Sequence, residues 1–75
     1  MIIEVWYSPE YASWAVSRFD ADGTPSDIES EWHHAKSQAE RSAIETANRE
    51  GLAAFSFTKD FSKKRELSLL KGSNS

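Results

Sequence analysis

Ser26-Asp-Ile-Glu-Ser-Glu-Trp-His-His-Ala-Lys-Ser-Gln-Ala-Glu-Arg-Ser-Ala-Ile-Glu-Thr-Ala-Asn-Arg-Glu-Gly51 is the stretch whose reading decides the fold. Ile28, Trp32, Ala35, Ala39, Ala43 and Ala47 recur at steps of four or three, which predicts one long helix with a single apolar stripe. The stripe is mostly alanine, so the helix can lie close on whatever it covers, anchored by Trp32 near its start. Two caps compete for its beginning: Thr24 with Pro25 as first helical residue, or Ser26 with Glu29 closing a capping box. Asp27, Glu29 and Glu31 suit the positive end of the helix dipole. Gly51 is a left-handed stop, with Leu52 folding back on the last turn.

The flanks read as strands. Ile2 to Tyr7 alternates and is rich in strand formers, Ser8-Pro9-Glu10-Tyr11 is a turn, and Ala12 to Phe19 returns. With Pro9-Glu10 at the tip, Tyr7 faces Ala12, Val5 faces Trp14 and Ile3 faces Val16, an all-apolar face for the helix to cover. Trp6 then points to the opposite side, among small residues. Ala53 to Thr58 is a further strand, with Ala53, Phe55 and Phe57 expected on the core side. Lys63 to Leu70 fits either a strand or a short helix capped by Asp60. The expected fold is a two-layer α+β domain over residues 1–71, with a small antiparallel sheet in the order ββαβ, a C-terminal element of either kind, and one long helix on one face. Residues 72–75 are expected to fray.

At 75 residues the chain is short enough that its core is marginal. It has no cysteine, hence neither disulfides nor thiolate metal sites, and three Trp, four Phe and two Tyr must supply the packing. No signal-like segment and no apolar run of membrane-spanning length occurs, so a cytoplasmic location without membrane contact is expected.

The net charge of −3 hides a division. Up to Thr58 there are four Lys/Arg and ten Asp/Glu, a net −6; from Lys59 onward there are five and two, a net +3. Asp20, Asp22, Asp27, Glu29 and Glu31 fall in a stretch from Phe19 to Ala35 that has no Lys or Arg. Such a body repels phosphate and attracts a basic protein surface. Together with Trp6, the side chain type most enriched in interface hot spots, these five acids are the expected protein-binding residues. Lys59, Lys63, Lys64 and Arg65 form the alternative, a basic end for nucleic acid.

Phe19-Asp-Ala-Asp-Gly-Thr24 resembles the first motif of haloacid dehalogenase-like phosphatases, which implies Asp20 as nucleophile and Asp22 as acid/base. That family needs a doubly wound sheet, which 75 residues cannot build. The same acids begin like a calcium loop, but Pro25 stands where that loop needs glycine. His33 and His34, adjacent on a helix, point about 100° apart and cannot share one metal. No cofactor, metal or catalytic set is therefore expected. Size, acidity and this lack resemble small phage or mobile-element inhibitors of the anti-CRISPR kind, which block basic, nucleic-acid-binding host proteins. At the level of topology the chain also resembles antitoxin domains of the HicB type. A homodimer through a sheet edge or the Trp6 face is a further expectation for so short a chain.

Overall fold

The computed structural model describes residues 1–25 and 30–67. The alternating segments form β1 (Ile2–Ser8) and β2 (Ser13–Phe19), paired antiparallel. Their loop is longer than the expected two-residue tip: Pro9 to Ala12 all lie in the turn, and Ala12 closes it in the left-handed region at φ 50°. The register is shifted by two, so that Val5 meets Val16, Tyr7 meets Trp14 and Ile3 meets Arg18. An even shift leaves every side chain on its own face. Ile3, Val5, Trp14 and Val16 therefore point inward as the alternation requires, all of them buried.

The long helix is shorter than expected. Glu31–His33 is a strand, β3, and the helix α1 runs only over Lys36–Glu50. Trp32 is not a helix anchor: it pairs with Ala15 across β2. Ala35 is the extended residue before the first turn and caps it with no side-chain bond. Asp27, Ile28 and Glu29, and the capping box with Ser26, lie outside the described residues. The end of the helix is as expected: Gly51 adopts φ 71°, and the Leu52 N–H donates to the Ala47 carbonyl at 3.0 Å.

The five strands, including β4 (Ala53–Phe57) and β5 (Lys64–Glu66), form one sheet in the order β3-β2-β1-β4-β5. The sheet is mixed, not antiparallel: β4 runs parallel to β1, and the element order is β-β-β-α-β-β. The short strand β3 causes this. A helical crossover returns the chain parallel to the strand it left, and β3, antiparallel to β2, already points along β1. The C-terminal element is a strand, pairing Ser56 with Arg65 and closing with the Leu67 N–H on the Ala54 carbonyl at 2.8 Å. Asp60 caps no helix; its carboxylate accepts from Thr58 Oγ1 at 2.7 Å and the Ser62 N–H at 3.0 Å in the β4–β5 turn.

One face carries α1. Ala39, Ala43 and Ala47, fully buried, pack on Ile3, Val5, Trp14, Val16, Ala54 and Leu67. Phe55 and Phe57, expected in this core, lie on the other face. Ile3 pairs with Ala54 and Val5 with Ser56, so the small residues of β4 meet the helix. Alternation from that register turns Phe55 and Phe57 away from the helix. The buried Ser56 hydroxyl is satisfied by Glu40 at 2.6 Å, and Arg18 clamps the helix end through a bidentate pair with Glu50.

Candidate functional site

The helix-free face of the sheet gathers most of the aromatic side chains. Trp6, at the centre of β1, is half-buried, and its indole N–H donates to Ser17 Oγ at 2.9 Å. Ser17 Oγ in turn lies 2.6 Å from Ser30 Oγ. The Trp6 ring meets Trp32 in a T-shaped contact at 5.8 Å between centroids, and Trp32 meets Tyr11 at 4.8 Å with planes 76° apart. Trp32 remains 43% exposed and Tyr11 61% exposed, values unusual for side chains of this size. Tyr11, Ser13 and Trp32 line a cleft of about 320 Å³.

Local chemistry places each member. Tyr11 sits in the four-residue hairpin loop, where its N–H reaches Ser8 Oγ at 3.4 Å and its carbonyl accepts the Ser13 hydroxyl at 3.0 Å. Trp32 is delivered by the short edge strand, whose alternation puts Glu31 and His33 on the helix side and Trp32 on the other. Farther along the same face, Phe55 and Phe57 lie under the ammonium of Lys64, at 4.7 and 5.4 Å from the ring centroids, and Phe61 tilts against Phe57. Phe61 is held at φ 63°, in a region that disfavours so bulky a residue.

Of the acids expected to join Trp6, the three that lie among the described residues are dispersed. Asp20 and Asp22 occupy the turn at the end of β2 remote from Tyr11. There the Gly23 N–H donates to the Asp20 carbonyl at 2.9 Å and the Thr24 N–H to Asp22 Oδ1 at 3.0 Å. That Thr24 contact holds the Asp22 carboxyl below its usual range. The segment that resembles a phosphatase motif forms a local polar turn. Asp27 and Glu29 lie outside the described residues. Glu31 faces the helix side: it accepts Ser42 Oγ at 2.6 Å and stands 3.4 Å from His33 Nε2. The Ser42 hydrogen bond, aided by His33 and Arg18, lowers the Glu31 carboxyl against its partial burial. Through these contacts Ser42, Glu31 and His33 tie the edge strand β3 to α1.

The basic residues are largely engaged. Lys64 Nζ is 2.9 Å from Glu4 Oε2, Arg65 reaches Glu40 at 3.4 Å, and Lys59 lies 4.7 Å over the Tyr7 ring. Lys63 is exposed in the turn, where its N–H donates to Thr58 Oγ1 at 3.2 Å. Among the described residues no three His, Asp or Glu side chains converge on a point that would hold a metal.

The sequence pattern singled out Trp6 but missed Trp32 and Tyr11. Trp32 fits the helical stripe by spacing alone, and Tyr11 reads as a turn residue. The available signal was the alternation of Glu31-Trp32-His33 ahead of the first sustained run of helix formers. Comparison of the chain with protein-family models, with curated proteins and with solved structures gives no match. No helix of the described residues is long and apolar enough to cross a membrane.

Proposed function

We propose that this protein is a non-enzymatic interaction module that docks a basic protein surface through the helix-free face of its sheet. The observation that carries the reading is the run Tyr11–Trp32–Trp6, in which Trp32 contacts both neighbours and two of the three rings are open to solvent. Aromatic side chains bring large contact area at small entropic cost, and clusters of them mark interface centres. The net −6 of residues 1–58 supports a basic partner, because opposite fields speed encounter. The pairing of Lys64 with Glu4 and of Arg65 with Glu40 supports a protein partner over a nucleic acid, since phosphate contacts need cations not already engaged. The specific form we propose is inhibition: a small acidic domain occupying the basic groove of a nucleic-acid-binding protein, in the manner of phage or mobile-element inhibitors. Asp20, Asp22 and Glu31 then serve as a peripheral field, and the aromatic cluster as the anchor.

Chemical cross-linking in a lysate, comparing the unaltered chain with a Tyr11→Ala/Trp32→Ala double variant, tests this. The expected result is a basic partner that is lost with the double variant and released by salt of about 0.5 M. Partners that bind both forms equally and resist salt would overturn it.

A further inference from the structure

Resting on that reading, we infer that the cleft between Tyr11 and Trp32 is a receptor for one arginine side chain of the partner. The reason lies in how the protein treats its other rings. Trp14 carries Lys36 at 5.3 Å, Tyr7 carries Lys59 at 4.7 Å, and Phe55 and Phe57 share Lys64. Among the described residues, the cluster of Trp6, Trp32 and Tyr11 carries no cation, although tryptophan is the ring type that attracts one best. It lies in the acidic part of the chain, with the exposed Glu10 next to Tyr11 in sequence.

The geometry selects guanidinium over ammonium. Tyr11 and Trp32 stand at 76° with centroids 4.8 Å apart, so they form a corner rather than a closed cage. A planar cation can lie flat on one ring and turn its N–H edge outward. Ser13 also lines the cleft, and its hydroxyl proton is committed to the Tyr11 carbonyl at 3.0 Å. Its oxygen lone pairs therefore remain to accept an N–H from the incoming group. The cleft, about 320 Å³ in volume, accommodates a long side chain with its stem. A compact, strongly hydrated ammonium gains less from such a corner.

The test is a titration of the isotope-labelled full chain with N-acetyl-arginine methylamide, followed by amide and indole NMR shifts. The citrulline analogue serves as the uncharged isostere, and the lysine analogue and tetramethylammonium as rival cations. Saturable shifts are expected at the Tyr11 and Ser13 amides and the Trp32 indole, with a dissociation constant on the order of millimolar and about tenfold weaker binding of citrulline. Trp32→Ala should abolish the Tyr11 and Ser13 amide shifts and Trp32→Phe retain them, with spectral dispersion reporting that each variant is folded; Tyr11→Ala, read at the Ser13 amide and the Trp32 indole, replaces Trp32→Ala if the latter unfolds. An equal response to citrulline, a stronger one to lysine or tetramethylammonium, or shifts confined to the Asp20–Asp22 turn would overturn the inference. A partner that needs Trp32 while arginine leaves the cleft unperturbed removes this inference and keeps the docking face. Arginine binding with no Trp32-dependent partner removes the docking reading instead.

Discussion

The two faces of the sheet solve the same problem by opposite means. On the covered face, three fully buried alanines lay the helix on Ile3, Val5, Val16, Ala54 and the buried Trp14. On the open face nothing among the described residues lies over the strands as α1 does. There Trp6, Trp32, Tyr11, Phe55 and Phe57 shield one another edge to face or lie beneath a lysine. The difference shows that aromatic content does not by itself locate a core. Rings with polar tips or cationic lids suit a half-wet surface, and among the described residues Trp14 is the one aromatic buried against the helix.

The strongest way to break that comparison is truncation on each side. Ile3→Ala should lower unfolding stability by about 2–5 kcal/mol, against about 1 kcal/mol or less for Trp32→Ala, read as the urea midpoint at unchanged slope. Equal losses would make the open face a second core and withdraw it as a docking surface. Enlarging the covered side comes next. Ala43→Leu should cost about 1–3 kcal/mol, because the fully buried methyl leaves a larger group no room without lifting the helix. The same change at the exposed Ala12 tip should cost far less on this ground.

A polar test follows. Glu40→Ala should cost about 1–2 kcal/mol by leaving the buried Ser56 hydroxyl without its acceptor, and adding Ser56→Ala should restore part of that loss in a double-mutant cycle.

Acid should loosen the covered layer. Arg18 holds Glu50, and Ser42 holds Glu31, below their ordinary pKa, while Ser62 and Thr58 bring Asp60 down to about 2. A carboxyl whose folded pKa is depressed contributes stability that is present above its unfolded pKa of about 4 and is lost as pH falls through the folded value. The melting temperature should therefore fall between about pH 4.5 and 2, and Glu50→Gln should flatten that slope. A melting profile level down to pH 2 would show that these clamps contribute nothing. The smallest effect is expected at Phe61. Phe61→Asn should leave stability unchanged or raise it by up to about 1 kcal/mol, since asparagine tolerates the left-handed backbone there.

Much of this architecture is legible in the residues. The inward face of the hairpin follows from alternation, and it survives a two-residue error in register because faces repeat every two. The helix end follows from Gly51. The start of the helix was not legible, because Ile28, Trp32 and Ala35 continue the spacing of the alanine stripe by coincidence. Missing the three-residue strand there also concealed the polarity of β4. Of the candidate site, Trp6 was legible as an outward tryptophan, whereas Trp32 meets it only across β2 and Tyr11 joins only through Trp32.

The chain's own pattern of small, branched and aromatic side chains determined that one helix would cover one side of a β-sheet, and which hairpin residues would look inward. Local periodicity encodes those facts, since each residue's face depends only on its neighbours along the backbone. Tertiary structure alone decided that β4 runs parallel to β1, that Phe55 and Phe57 face away from the helix, and that Trp32 touches both Tyr11 and Trp6. Those outcomes depend on pairing between segments distant in the chain, which no local spacing records.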